Sequence, residues 1–183
     1  MKFIKIFSAA LVALTIGTAS FAQKTVMVGG APMLPTKNIV ENAANSKDHT
    51  TLVAAVKAAG LVETLQSAGP FTVFAPVNAA FDMLPAGTVA TLLKPENKAM
   101  LAGILTYHVV AGNFNAAAVL KMIKAGGGKA EIKTVAGGTL TATKKGKKVM
   151  LTDEKGGVAT VTIANVLQSN GVIHVIDRVL LPK

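Results

Sequence analysis

Hydrophobic residues in the N-terminal half of the chain recur at helical spacing. Between Leu52 and Ala59 the apolar positions lie three or four residues apart, Thr50 or Thr51 can cap the start of a helix, and Gly60 suits its end. The same pattern predicts further helices at residues 88–93, 96–106 and 115–124. This half of the chain is therefore mostly helical.

The hydrophobic period changes from about 3.6 residues to about 2 after the three glycines at positions 126–128. β-Branched runs separated by glycine, lysine or Asn-Gly then predict strands at 132–135, 139–143, 149–152, 158–166 and 172–181. A further strand, residues 71–75, falls inside the helical half and is closed by Pro76. Helices followed by hairpins, with no internal repeat, indicate a single α+β domain.

Three motifs stand in a fixed order along this pattern. The first is Gly69–Phe81 (GPFTVFAPVNAAF), the second is Tyr107-His108-Val109-Val110, and the third is Asn170–Pro182 (NGVIHVIDRVLLP). Together they resemble the conserved boxes of the fasciclin domain family, and the stretch at 51–56 resembles the family's opening helix. The resemblance covers residues 38–182. It implies a fasciclin-like wedge of β-strands packed with several α-helices, helices mostly N-terminal and hairpins C-terminal.

The resemblance also marks individual residues, whose role we expect to be structural. They are Phe74, Pro76, Asn78, Phe81, Tyr107, His108, Asn170, Gly171, His174 and Asp177. Two positions depart from the family pattern, because the first box often carries Thr-Asp where this chain has Val77-Asn78. Asn can still cap the helix that follows, so we expect the fold to be kept, while any role that needs the Asp charge is in doubt.

Physical chemistry supports a structural interpretation of these boxes. We expect one core to join the first and third boxes, built from Phe71, Val73, Phe81, Val172, Ile176 and Val179. Asn170-Gly171 is a turn dipeptide, since both residue types tolerate left-handed conformations. His108 and His174 are flanked by apolar residues and are expected to be buried histidines with satisfied nitrogens. The alternative is a pair that contacts a ligand or a metal.

The first 22 residues have the pattern of a signal peptide. Lys2 and Lys5 precede an apolar run at 6–16, and Ser20-Phe21-Ala22 forms a small-x-small cleavage site. The alternative is an uncleaved N-terminal anchor. Residues 23–37 contain Gly29-Gly30 and two prolines without a period, which predicts a flexible tail before a domain at 38–183. We expect a secreted protein, periplasmic or extracellular, without a transmembrane segment.

Composition excludes several kinds of chemistry. A hydrophobic fraction of 51% with 15% charged residues excludes a disordered chain, and the absence of cysteine excludes disulfides and thiolate sites. The three histidines lack metal-ligand spacing, and none of the few serines after residue 22 lies in a Gly-x-Ser-x-Gly turn. Asp153-Glu154 beside Gly156-Gly157 is more typical of a hairpin turn than of a calcium loop. We therefore predict no enzymatic activity and no cofactor.

The net charge of +10 falls to +8 without the first 22 residues and is concentrated in one region. Nine lysines lie between positions 121 and 155, and four of them, Lys144, Lys145, Lys147 and Lys148, surround Gly146 at a predicted hairpin tip. Clustered ammonium groups attract polyanions in a salt-dependent way. The alternative is a solvated hairpin whose lysines protect strand edges. Nucleic acid is disfavoured, because there is one Arg and no aromatic residue near the lysines.

Three functions remain. The resemblance favours a non-enzymatic module for cell-surface or extracellular-matrix adhesion, with a protein or an anionic polysaccharide as its partner and the hairpin lysines as the contact. The second is a carrier of an apolar ligand such as a carotenoid or lipid, which the methionine content supports weakly. The third, an enzyme or periplasmic stress factor, has no positive support.

Overall fold

A computed structural model describes residues 25–183 of the chain. The predicted signal peptide lies outside these residues. The described part forms seven α-helices, which are α1 Ile39–Asn45, α2 Thr50–Ala59, α3 Val62–Gln66, α4 Asn78–Asp82, α5 Thr88–Leu92, α6 Lys98–Tyr107 and α7 Ala116–Ala125. Short 3-10 turns at Lys47–His49 and Pro95–Asn97 precede α2 and α6. Among these residues no helix combines the length and apolarity needed to cross a bilayer.

Nine strands complete the described part. They are β1 Val26–Val28, β2 Ala31–Met33, β3 Phe71–Pro76, β4 Val109–Ala111, β5 Lys129–Lys133, β6 Thr139–Lys145, β7 Lys148–Thr152, β8 Val158–Gln168 and β9 Gly171–Ile176. Seven of them form one sheet in the order β4-β3-β9-β8-β7-β6-β5, and β1 and β2 form a separate hairpin. The α+β class with N-terminal helices and C-terminal hairpins is confirmed.

The strand that carries the first motif pairs in parallel with the strand that carries the third. β3 and β9 run side by side from Phe71 opposite Gly171 to Pro76 opposite Ile176, although a hundred residues separate them in the sequence. β4 pairs antiparallel with the other side of β3. β4 was not predicted, since it has three residues and directly follows α6. The three motifs therefore meet at one end of the sheet.

The hydrophobic interior is divided by the sheet, so the predicted core that joins the first and third boxes is confirmed for Phe71, Val73, Phe81 and Val179 but not for Ile176. Successive side chains of a strand point to opposite faces. Val73, Phe81 and Val179 therefore belong to a cluster with α1, α2 and α6, whereas Phe74 and Ile176 belong to a second cluster. The second cluster lies between the sheet and α7, whose Val119 and Ile123 are buried in it together with Leu140, Ala142 and Leu151.

The N-terminal segment is ordered rather than a tail. β1 and β2 pair antiparallel, with Val26 opposite Met33, and Gly29 and Gly30 at the turn both have positive φ. Val28 and Met33 are buried in the first cluster with exposed fractions of 2% and 3%. The Gly29 carbonyl also accepts a hydrogen bond from the backbone of Lys47. The expectation of a flexible tail over 23–37 is corrected for this hairpin, which is too short to show a clear period.

Two local predictions also change. α2 begins at Thr50 and ends at Gly60, which has a φ of 70°, as the sequence predicts. Its N-cap position is however His49, and neither threonine caps it with a side chain. The last predicted strand, 172–181, ends at Ile176, because the chain bends at Asp177 and leaves the sheet.

Candidate functional site

The four predicted lysines lie at the tip of the β6–β7 hairpin. Lys145 and Lys148 are opposite each other in the antiparallel register, and Gly146 and Lys147 form a two-residue turn between them. Gly146 has a φ of 62°, the conformation that a type II′ hairpin turn needs at its first central position. All four lysine side chains are exposed. We refer to residues 144–148 as the hairpin tip.

The hairpin tip extends beyond its neighbouring strands. β6 and β7 are interior strands of the sheet, but β5 pairs with β6 only as far as Thr143, and β8 pairs with β7 only from Met150. The outer sides of the tip are therefore unpaired, and protection of an exposed edge by lysine applies there. It applies also to β5, whose exposed side chains are Lys129, Glu131 and Lys133.

The hairpin-tip lysines are divided between two faces of the sheet. Leu140 and Ala142 of β6 are buried under α7, and by alternation Lys144 lies on that same face. Lys145 lies on the opposite face with Lys148, because Val149 and Leu151 of β7 are the buried residues. The prediction from sequence treated the four lysines as one group, whereas in the fold Lys144 lies on one face of the sheet and Lys145 and Lys148 lie on the other.

Phe74 and His174 join the first and third motifs across β3 and β9. They are opposite residues of the parallel pair, and their rings stack with centroids 5.7 Å apart at an interplanar angle of 26°. At the start of the same pair a Cβ at Gly171 would collide with the Phe71 carbonyl oxygen, so the close approach of the strands requires glycine there.

Each nitrogen of His108 has a partner within the protein. Nδ1 lies 2.8 Å from the Ile104 carbonyl oxygen and must donate to it, while Nε2 accepts from the Leu180 N–H at 3.0 Å. Burial lowers the pKa of His108 from 6.5 to about 4, against smaller opposing effects of the Ile104 carbonyl and Asp153. The ring is therefore neutral at pH 7 and offers no free nitrogen to a ligand or a metal.

His174 is satisfied in the same way. Its Nε2 donates to the Phe114 carbonyl at 2.8 Å, and its Nδ1 accepts from the Asn165 N–H at 3.4 Å. Burial lowers its pKa, an effect partly offset by the Phe114 carbonyl. Neither ring therefore has a free nitrogen, which argues against the alternative of a histidine pair that binds a ligand or a metal.

The remaining motif residues hold segments of the chain together. The Tyr107 hydroxyl donates to the Thr139 carbonyl at 2.9 Å and accepts from the Glu154 N–H at 3.2 Å, although Tyr107 is fully buried. Burial raises its pKa. Asp177 accepts from the Thr160 N–H at 2.7 Å, which fixes the chain where it leaves β9.

Asn78 does not cap its own helix, which corrects the sequence prediction. The N-cap of α4 is Val77, and the Asn78 Oδ1 instead accepts from the Thr51 N–H at 3.0 Å and the Thr50 hydroxyl at 3.2 Å. Its Nδ2 donates to the Lys47 carbonyl at 2.9 Å. Asn78 therefore supplies from a distance the N-terminal cap that α2 lacks.

Asn170 connects three segments that are remote in sequence. Its Oδ1 accepts from the Ile39 N–H at 3.1 Å, and its Nδ2 donates to the carbonyls of Leu65 at 2.8 Å and Ser67 at 3.0 Å. The turn role predicted for Asn170-Gly171 is therefore accompanied by a bridge between α1, α3 and β9.

One contact between a serine and a histidine was not apparent from the sequence. Ser46 Oγ lies 2.9 Å from His49 Nδ1, because a 3-10 turn brings residues three apart together. Both side chains are buried, with exposed fractions of 1% and 2%. Burial lowers the pKa of His49, more than the Ala75 carbonyl and Asp48 raise it. A substrate has no access to this serine, so the pair does not form a catalytic dyad.

The acidic loop at 153–157 binds backbone rather than a cation. Asp153 Oδ1 accepts from the N–H groups of Lys155 and Gly157, at 3.0 and 2.7 Å, and Oδ2 accepts from the Leu181 N–H at 2.9 Å. Over residues 25–183 no group of three or more histidine, cysteine or acidic residues could hold a metal ion.

The apolar cavity beside His108 is small. It lies between α1, α2 and β3, is lined by side chains such as Leu52, Val56 and Phe74, and has a volume of about 30 Å³. A cavity of this size has room for about two or three water molecules. The cavity therefore could not enclose a carotenoid or an acyl chain, so it does not support the alternative of an apolar-ligand carrier.

An open groove of about 660 Å³ lies beside the hairpin tip. Lys121 and Lys124 of α7, the glycine turn at 127–128 and Lys144 line it. The sequence placed Lys121 and Lys124 in the basic region but could not place them next to Lys144. That proximity arises because α7 lies across β5 and β6, which a periodicity argument does not reveal.

Comparison with known proteins agrees with this geometry. The "Fasciclin domain" family model matches residues 47–182. Protein sll1483 of Synechocystis sp. is 51% identical over 160 residues, which cover 87% of this chain and 82% of that protein. Immunogenic protein MPB70 of Mycobacterium bovis is 39% identical over 145 residues, covering 76% of this chain and 66% of that one.

A solved structure has the same fold. A FAS1 domain pair from the insect cell adhesion molecule fasciclin I matches 71% of this chain and 43% of that one, with a TM-score of 0.54 and 24% identity. The family match extends from just before α2 to the end of the third motif, and it includes every motif residue described above. The chain belongs to the fasciclin domain family.

Proposed function

We propose that the protein is an exported, non-enzymatic fasciclin module that interacts with the cell surface or extracellular matrix. In this proposal the contact is the hairpin tip, with Lys144, Lys145, Lys147 and Lys148, and the partner is an anionic polysaccharide. Adhesion is named for fasciclin I, which shares the fold. The predicted signal peptide supports an extracellular or periplasmic location.

The observation that carries the proposal is the register of the hairpin tip. Lys145 and Lys148 lie directly opposite each other, an arrangement of like charges that destabilises a β-hairpin. Beyond Thr143 and before Met150 the two strands have no outer neighbour, so the tip is open to a partner on both sides. An anionic partner would relieve the repulsion and would be attracted by it, more strongly at low salt.

The test is binding of the purified protein to polygalacturonate, a polymer with one carboxylate per sugar, with neutral dextran as the comparison polymer. We expect binding to polygalacturonate that weakens as salt rises, and no binding to dextran. Replacement of Lys144, Lys145, Lys147 and Lys148 by Gln should weaken this binding severalfold.

The matched control removes the same charge elsewhere. Lys47, Lys57, Lys94 and Lys98 are exposed and lie outside the basic region, so their replacement by Gln gives an equal change in net charge. Binding by this variant should remain close to that of the wild type. Equal loss in both variants would reduce the interaction to net charge, and no binding by the wild type would refute the proposal.

A further inference from the structure

The lysines of the basic region meet different neighbours on the two sides of the sheet. Lys144 is on the face covered by α7, which we term the helix side. Lys145 and Lys148 are on the opposite face, which we term the outer face. Lys129 belongs to the outer face as well, because it is the exposed residue opposite Thr143 and its neighbour Ala130 is buried. The two sets therefore project from opposite faces of the sheet.

On the helix side the lysines surround a concave surface. Val119 and Ile123 anchor α7 on the sheet, and the exposed Lys121 and Lys124 then stand on the far half of the helix, beside Lys144. Leu120 and Ile123 give the groove an apolar floor, and glycines 127 and 128 form a wall without side chains. A Cβ at either glycine would meet no atom, so this end of the groove is open.

The charged side chains of the groove all have one sign. No Asp or Glu occurs in residues 116–128 or 139–145, which include all of α7, the glycine turn and β6. The C-terminal end of α7, with its partial negative charge, also points here, and three of its last four carbonyls accept backbone hydrogen bonds. Met122, Ile123 and Lys124 accept hydrogen bonds from the N–H groups of Gly126, Gly128 and Gly127. The lysines thus face the groove without an acidic neighbour on these elements.

The outer face differs from the helix side in its charge and in its lack of an apolar floor. There Glu131 stands between Lys129 and Lys133 on β5, and the neighbouring β6 side chains are Thr139, Thr141 and Thr143. A carboxylate within the cluster offsets part of its positive charge at short range. The outer face is thus a mixed-charge sheet surface, whereas the helix side combines three lysines with an apolar floor.

We infer that the helix-side groove is the binding site for a linear anionic polysaccharide, with Lys121, Lys124 and Lys144 contacting its acidic groups and the half-buried Leu120 contacting the apolar faces of its sugar rings. This inference rests on the proposed function and narrows its contact: Lys144 binds in the groove, and the other hairpin-tip lysines attract the polymer from outside it. The groove can hold a segment of a few sugars at most, and its open end lets the rest of the polymer continue past the glycine turn.

Two triple variants of equal charge test the inference. One is Lys121→Gln, Lys124→Gln, Lys144→Gln, and the other is Lys129→Gln, Lys145→Gln, Lys148→Gln. Exposed lysine–carboxylate pairs contribute modestly each, so the helix-side variant should bind polygalacturonate about tenfold or more weakly than the wild type. The outer-face variant should differ by no more than about threefold. All six side chains are exposed, so both variants should fold.

The outcomes separate the inference from the proposed function. A greater loss in the outer-face variant would overturn the groove while keeping a hairpin-tip contact, and equal losses would overturn the groove in favour of net charge. Absence of binding by the wild type would refute the proposed function itself.

Polyglutamate is the second probe, because it carries carboxylates without sugar rings. It should bind more weakly than polygalacturonate, and equal binding would remove the sugar contacts from the inference.

Discussion

The backbone N–H of Leu180 donates a hydrogen bond to Nε2 of His108 over 3.0 Å, in a region where both residues are buried. This contact fastens the segment after β9 to the end of α6. It exists only while Nε2 is unprotonated, since a protonated nitrogen would face the N–H as a second donor. Part of the stability of the fold therefore depends on the neutral form of the His108 imidazole.

Stability should consequently fall between neutral pH and about pH 4. Burial lowers the pKa of His108 from 6.5 to about 4, so the unfolded chain binds the proton more readily in this range. The stabilisation by neutral His108 is complete above the pKa that this residue has in the unfolded chain. It is lost as the pH falls toward the pKa that the residue has in the folded protein. The loss should reach about 3 kcal/mol from this group alone. Urea denaturation at a series of pH values measures it.

Two measurements assign the effect to His108. The variant His108→Gln should show a shallower decline over the same pH range, since carboxylates and the other histidines are unchanged. In the wild-type protein, the NMR titration of the His108 ring should have its midpoint well below that of a free histidine. A midpoint near 6.5 would contradict the account.

Replacement of Asn78 should destabilise α2 rather than α4. In Asn78→Ala the Thr51 N–H and the Lys47 carbonyl lose their side-chain partner, which should cost about 1–2 kcal/mol of unfolding free energy. Asn78→Asp keeps the acceptor and places a negative charge at the N-terminus of α2, so it should cost less. Denaturant unfolding compares the two variants, and an equal loss in both would remove the capping role.

The N-terminal hairpin should contribute to the stability of the domain. Met33 is 3% exposed and packs in the first cluster, so Met33→Ala should lower the free energy of unfolding by about 2–4 kcal/mol. Met27 lies in the same hairpin but is 59% exposed, and Met27→Ala is the matched control with little expected effect. Similar stabilities of the two variants would mean that the hairpin is not part of the cooperative unit.

The difference between the predicted and observed structures follows from the range of the interactions. The period of the hydrophobic residues predicted α2, α7 and the C-terminal strands, because periodicity reports a local amphipathic face. It missed the β1–β2 hairpin, whose strands have three residues each. It also assigned Asn78 to its own helix, because the Thr51 N–H that it binds is 27 residues away in the sequence.

The candidate site was likewise predictable only where the pattern that identifies it is local in the sequence. The lysine-rich hairpin was evident from Lys144 to Lys148, since the turn glycine and the strand patterns are local. The separation of Lys144 from Lys145 follows from strand alternation once the buried face is known, and Leu140 identifies that face. The position of Lys121 and Lys124 depends on how α7 crosses the sheet, which involves contacts between residues remote in sequence.

The most direct test of the central claim is an amide NMR titration of the ¹⁵N-labelled protein with a short oligogalacturonate at low salt. We predict chemical-shift changes concentrated at residues 120–128 and 144–148, which decrease when salt is added. Changes confined to other surfaces would contradict the account. So would the absence of any change in a large molar excess of the oligosaccharide.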